Sequence, residues 1–299
     1  PHLEFGLLGS ISSIPAGFEF ATAVYCGAGT NAAVGGFGDA LLRLNGKVGR
    51  QWERSSNISL THLGYSTDNG AFYYYWAGNY SSPEEALTAV HSAATAQRVP
   101  FRYILLDSWW YYKGVGGGIA NWTARPEEFP HGLAAFTKAT GWPIVGHDRY
   151  WASDTSYARQ NGGEYDFLIE RLRQKALPME QRFWDDLMAS SKAWGLAVYE
   201  QDWLHNEWEG LDATLRSPTL SHTWLKQMGL GASRANLTIQ YTAWPTLASH
   251  WPRSRCQVSL RFASQMTTKS TSPIAVPTKV STFTWGRVPC SLRLSALPR

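Results

Sequence analysis

The sequence predicts an α/β fold of the (β/α)₈ TIM-type barrel class, incomplete in this chain and preceded by part of a β-rich region. Three observations carry that expectation. From Leu60 onward short strand-like segments alternate with helical ones, the rhythm of parallel βα units. One of those segments, "FRYILLD", is a nearly continuous apolar run, as a strand buried on both faces requires. Five such segments end in polar or aromatic residues at the same, C-terminal, side, where a barrel of this class builds its site.

Residues 1–60 are rich in Gly and short apolar runs ("CGAGTNAAVGGFGDALLRLNG") without helical period, which predicts strands and loops at the end of a β-rich domain. The first barrel strand is "LTHLGYSTD", ending near Asp68. In "SSPEEALTAVHSAATAQ" Ser, Pro and two Glu precede apolar helical spacing, a helix start. The second strand, "FRYILLD", ends at Asp107, with Trp109 and Trp110 just beyond. A helix around "PHGLAAFTKATG" leads to the third, "WPIVGHD", which ends at His147 and Asp148. Residues 158–176 interrupt the rhythm and read as an excursion. The helix "MEQRFWDDLMASSKAWG" precedes the fourth strand, "LAVYEQD", which carries Glu200 and Asp202 and is followed by Trp203. A helix over "TLSHTWLKQMG" and a fifth strand, "NLTIQY", follow. The expected organisation is therefore 1–60 as the end of a β-rich domain, 61–241 as five βα units, and 242–299 as a basic tail.

Composition narrows the function. The 299 residues suffice for a large buried core, and 15 Trp with 14 Tyr provide flat surfaces for stacking as well as packing. The formal charge of +4 does not mark a nucleic-acid binder, because the first 241 residues hold 19 basic and 23 acidic groups. All the excess positive charge lies in the tail. Cys26, Cys256 and Cys290 form neither a metal spacing nor a disulfide framework. No apolar run is long enough to span a membrane, and no signal peptide opens the chain, whose first residue is Pro rather than Met. Sequons at Asn57, Asn79, Asn121 and Asn236 point to a secreted or lumenal location. Oligomeric state is not legible.

Acids at neighbouring strand ends suit glycoside chemistry. One ionised carboxylate attacks or stabilises an oxocarbenium-like centre while a second, protonated, donates to the leaving oxygen. A polar strand end meeting solvent explains any single terminus; several carrying Asp or His beside aromatics favour a site. Metal- and phosphate-using barrels also place acids there, but no His/Cys cluster supports them. "GVGGG" after Lys113 lacks the following Lys-Ser/Thr and reads as a flexible loop. No cofactor or metal is expected. His147 reads equally as a satisfied strand-end histidine or as a sugar ligand.

The segment order resembles the clan of α-galactosidases and raffinose synthases. "LGYSTDNGAFYYY" is similar to that clan's first barrel strand, "RYILLDSWW" to its Asp-Asp-Gly-Trp strand end, and "NWTARPEEFPHGLAAF" to its Phe-Pro-x-Gly-Leu segment. "AVYEQDWL" falls where the clan has Lys-x-Asp. The resemblance covers about residues 60–241. It implies a retaining mechanism on α-galactosides or related oligosaccharides, with Asp202 as nucleophile and Asp107 and Trp109 as sugar-binding residues. Asp68, Asp148, Glu200 and Trp203 complete the expected substrate site. Glu200 stands where the clan has Lys and Ser108 where it has Gly. A carboxylate beside the nucleophile raises the energy of an ionised pair.

The tail departs from everything before it. Residues 242–299 contain no Asp or Glu and eight Lys or Arg, and "TAWPTLASHWPRSRCQVSLRF" shows neither strand nor helix period. Translation in an altered reading frame accounts for this: at one constant offset, codons can be chosen so that "LRFASQMTTK" reads Arg-x-Ser-Asp-Asp, similar to the clan's acid/base segment. A disordered basic tail is the bland alternative. Either way the chain lacks an acid/base carboxyl and is expected to be inactive, with non-catalytic carbohydrate binding as the second reading.

Overall fold

Six parallel strands form one sheet in the computed structural model, which describes residues 7–22, 25–44, 46–48, 55, 57–68, 75, 77–242, 258–260 and 281–282. They are β1 (Leu63–Ser66), β2 (Phe101–Leu106), β3 (Ile144–Asp148), β4 (Leu196–Gln201), β5 (Thr238–Tyr241) and β6 (Val258–Leu260). Each lies beside its predecessor in the chain, and every pairing is parallel. That is the strand order of a (β/α)₈ barrel laid open. Among the described residues no pairing closes β1 onto β6.

The helices are α1 (Thr30–Leu44), α2 (Pro83–Ala96), α3 (Leu133–Thr140), α4 (Gln181–Ala193) and α5 (Leu220–Arg234), with shorter helical turns between them. Ser82 caps α2, its hydroxyl accepting from the Glu85 amide at 3.2 Å, and Pro83 supplies the first helical φ. Glu84 then accepts from the His131 amide at 3.0 Å, joining α2 to the Phe-Pro-His-Gly-Leu segment. Gly132 enters α3 with φ +81°, a conformation that L side chains rarely adopt.

The excursion is larger than its sequence limits of 158–176. A second, mostly antiparallel sheet places Tyr111–Lys113, Ile119–Ala124, Trp151–Ala152, Lys175–Pro178 and Phe167–Glu170 in that spatial order. Its first two strands in the chain, Tyr111–Lys113 and Ile119–Ala124, follow β2, and the Gly-rich turn between them hides their alternation.

Two faces of the parallel sheet differ. Ile104, Leu106, Ile144, Tyr199 and Ile239 belong to the large core shared with Phe136, Trp184 and Trp224 of the helices. Tyr103, Leu105, Val145 and Val198 form a separate small cluster. The alternation of strand side chains explains the split. A register shift between Leu196 and Val198 moves β4 from one set to the other.

Two expectations are corrected. Residues 1–60 are not β-rich among those described: a two-residue strand, Ala21–Thr22, stands beside the fifteen-residue α1. None of the α1 side chains is buried, so its helix rests on the propensity of "DALLRL", while Gly35, Gly36 and Gly38 blur the apolar period. Likewise the absence of strand period after Tyr241 does not hold for Val258–Leu260, which pair with the open edge of β5. The rest of the tail, apart from Thr242 and Ser281–Thr282, lies outside the described residues, as do residues 69–74 of the first-strand motif.

Gly231 on α5 packs against the α4 backbone, where a Cβ would meet the Trp184 carbonyl oxygen at 2.8 Å. Gly231→Ala is expected to destabilise the fold by about 1–3 kcal/mol in urea unfolding, despite the ~1 kcal/mol that Ala gains inside a helix. A neutral result would mean that the two helices do not pack this closely.

Candidate functional site

Parallel strands held in register carry their side chains in lateral rows. Glu200 of β4 pairs with His147 of β3 and with Gln240 of β5, and Leu106 of β2 pairs with Gly146. Asp107 therefore comes level with His147, and a polar row runs Asp107, His147, Glu200, Gln240 across four strands. It sits directly above the Tyr103, Leu105, Val145 and Val198 cluster, on the same face. Asp202, two residues after Glu200, projects on that face one step farther toward the C-terminal side.

Hydrogen bonds and ion-pair contacts tie the row to Asp202 and to the residues around it. His147 Nε2 lies 3.3 Å from Asp202 Oδ2 and 3.5 Å from Asp107 Oδ1, and its Nδ1 lies 3.1 Å from the Tyr111 hydroxyl. Gln240 Nε2 donates to Glu200 Oε1 at 2.7 Å. Asp202 Oδ1 accepts from the Trp203 amide at 2.7 Å and from the Thr242 hydroxyl. At the β1 end, Thr67 Oγ1 donates to the Leu105 carbonyl at 2.8 Å and accepts from the Asp107 amide at 3.1 Å and Trp109 Nε1 at 2.9 Å. Solvent reaches the two outer carboxylates: the Asp202 side chain is 26% exposed and that of Asp107 17%, against 5% for His147.

Charge in this row is divided by burial. Burial opposes ionisation of Asp202, yet the bond and charge of His147, with the Thr242 and Trp203 donors, hold its carboxyl below the ordinary range. Burial likewise works against a charged His147; its bond to Asp202 and the carboxylates of Asp107 and Glu200 outweigh this and raise its pKa. Glu200 is pushed up to about 7, by burial first and then by the Asp202, Asp107 and Asp68 charges, against the pull of His147. The feared clash of paired acids is thereby relieved: Asp202 is ionised while Glu200 keeps its proton below neutrality.

Not every expected residue joins the row. Asp107, Glu200 and Asp202 do. Asp68 lies exposed just past β1, near enough to act on Glu200 through its charge. Asp148 is corrected: its carboxyl is wholly buried on the opposite, helix-side face, because it follows His147 by one residue in a strand. There it lies beside Tyr199 and Gln201 with no hydrogen bond of ordinary geometry, and burial drives its pKa well up. Trp109 is corrected too. It is 2% exposed and stacks on Phe129 at 5.7 Å, leaving no open face for a sugar.

Trp203 is 38% exposed, with Arg149 over its ring at 4.7 Å and the His205 ring stacked on it at 5.7 Å. Its φ of +56° is uncommon for a bulky residue, and its amide donates to Asp202. Sequence reasoning left His147 ambiguous and missed Thr67, Tyr111, Gln240 and Thr242. The parity of His147 with Asp107 and Glu200 was the usable signal. Among the described residues no cluster of His, Cys, Asp and Glu suits a metal ion.

A buried acid whose folded pKa exceeds its unfolded value takes up protons on folding, so its contribution falls as pH rises between the two values. For Glu200 that window runs from 4.5 to about 7, a difference worth roughly 3 kcal/mol. Glu200→Gln is expected to gain stability relative to the parent as pH rises from 5 to 8 in chemical unfolding. Parallel curves for the two proteins across that range would exclude a titrating Glu200.

No protein-family profile matches the chain, and no curated protein sequence matches it. Similarity appears among solved structures. The α-galactosidase I of Mortierella vinacea aligns at 16% identity and TM-score 0.37, over 61% of this chain and 40% of the enzyme. An α-galactosidase from Thermus thermophilus, solved with p-nitrophenyl α-D-galactopyranoside, aligns at 14% and TM-score 0.41, over 63% and 39%. A GH27 β-L-arabinopyranosidase from Geobacillus stearothermophilus aligns at 13% and TM-score 0.42, over 62% and 48%. The chain thus spans less than half the length of each of these glycoside hydrolases.

Proposed function

We propose that the chain is a glycoside-hydrolase-type domain that binds α-galactosides or related oligosaccharides and uses Asp202 as the nucleophile of a retaining reaction. The observation that carries this reading is the ionised, partly exposed Asp202 at the C-terminal end of β4, beside Asp107 on the same face. Attack by Asp202 on the anomeric carbon breaks the glycosidic bond and forms a glycosyl ester. Asp107, Asp68 and Glu200 accept or donate hydrogen bonds to sugar hydroxyls, and Trp203, partly exposed between Arg149 and His205, offers apolar surface beside them.

The reaction also needs a proton for the leaving oxygen. Glu200 holds its proton below about pH 7, but it shares a strand and a face with Asp202, whereas the two carboxyl groups of this mechanism flank the bond. Residues 242–299 contain no Asp or Glu to take the opposite side. An altered reading frame beyond Tyr241 explains that gap, and the hydrolase is inactive on ordinary glycosides without its general acid, a loss of about 10²–10⁴-fold. The same absence favours a second reading, carbohydrate binding without turnover. Asn79 and Asn236 are exposed and support a secreted or lumenal location, while Asn57 is buried as a helix cap.

α-Galactosyl fluoride separates the two readings, since fluoride departs without a protein acid. Intact-mass spectrometry is expected to show one hexosyl adduct on the parent protein and none on Asp202→Asn, with the adduct mapping to the peptide containing residue 202. Saturable galactoside binding with no adduct would support the binding-only account.

A further inference from the structure

Four carboxyl groups, Asp68, Asp107, Glu200 and Asp202, converge on the C-terminal side of one sheet face. Among the described residues, the ion pairs of Asp107 and Asp202 both come from His147. That histidine is not on the nucleophile's strand. It reaches across from β3, level with Glu200, and presents one nitrogen to two carboxylates at once.

We propose that His147 is the positioning residue of this site, an imidazolium braced by Tyr111 that holds Asp202 ionised and aimed. The inference rests on the reading of Asp202 as nucleophile only for its catalytic meaning; the pairing itself stands on geometry. Nε2 faces Asp202 at 3.3 Å and Asp107 at 3.5 Å, so it must carry a proton. Nδ1 meets the Tyr111 hydroxyl at 3.1 Å, and the Tyr111 ring lies nearly parallel to the imidazole, 15° apart. Held at both nitrogens and 5% exposed, the ring has no freedom to swing away.

The carboxylates packed against His147 favour its cation: Asp107 faces it from β2 and Asp202 from β4, and Glu200 of β4 adds to them where it ionises. Asp148, its neighbour on β3, points to the far face of the strand, where burial favours the neutral carboxyl. Tyr111, the other titratable contact, is pushed well above its ordinary range by burial and stays neutral. The consequence is specific: Asp202 keeps its charge at acidic pH because His147 lowers the cost of holding it.

The test is carboxyl ¹³C NMR titration of aspartate-labelled full-length protein, with the Asp202 signal assigned by its loss in Asp202→Asn. In the parent, Asp202 is expected to titrate below about 3.9. In His147→Gln its midpoint is expected to rise by about one to three units, and in His147→Lys to return toward the parent value. A change in packing alone would not be rescued by lysine. Reciprocally, Asp202→Asn is expected to lower the imidazole midpoint of His147, which needs no His147 variant to fold. An unchanged Asp202 midpoint in His147→Gln, or an unchanged His147 midpoint in Asp202→Asn, overturns the proposal. Galactosyl-fluoride labelling read on the same proteins keeps the two ideas apart. Absence of any adduct on the parent would sink the nucleophile reading and leave the NMR result on His147 intact.

Discussion

The register of the parallel sheet is the constraint on which the site depends. Because side chains alternate with a period of two and adjacent strands pair in step, one residue of slip would send Asp107, His147 or Glu200 to the helix side. The apolar cluster beneath the row, Tyr103, Leu105, Val145 and Val198, fixes that step on its own face, while Ile104, Leu106 and Ile144 fix it on the other. Packing decides which polar groups can meet, and the chemistry follows from that choice.

Asp148 shows what the opposite choice costs. Together with Glu207 it is fully buried on the helix side, and neither carboxyl has a hydrogen bond of ordinary geometry. Burial first, and their mutual repulsion next in the case of Glu207, drives the pKa of each well up. Neutral carboxyls there cost far less than buried charges would. On the site face the same sequence of acids is handled differently: His147 compensates two, a proton neutralises a third, and solvent reaches the rest. Two faces of one strand thus hold adjacent residues, His147 and Asp148, in opposed electrostatic regimes.

Much of this was legible from the sequence where local rules are strong. The apolar run of β2, the Ser-Pro-Glu-Glu start of α2 and the order of five strands with a helix between each consecutive pair all appear in the structure. Legibility failed where the answer depends on three-dimensional context. A sequence shows that Trp109 follows a strand end but not that Phe129 covers it. It shows an acid at position 148 but not that parity turns it inward. The helix over Thr30–Leu44 buries nothing, so no core-facing stripe announced it. The site's neutral partners, Thr67, Tyr111 and Gln240, were invisible because hydroxyl and amide side chains carry no signal at the ends of strands until neighbouring strands are aligned.

The boundary at Tyr241 looks different once hydrogen bonds are traced across it. The Thr242 amide continues the β4–β5 ladder to the Gln201 carbonyl at 3.0 Å, and its hydroxyl reaches Asp202. The three residues Val258–Leu260 then add a sixth strand. The ladder contacts require no particular side chains, since backbone amides pair with an open edge whatever the sequence; only the bond to Asp202 needs a hydroxyl at position 242. Order at the start of the tail therefore says nothing in favour of its composition. The strand that extends the sheet needs only backbone groups, and it adds no acid to the row, since residues 242–299 contain no Asp or Glu.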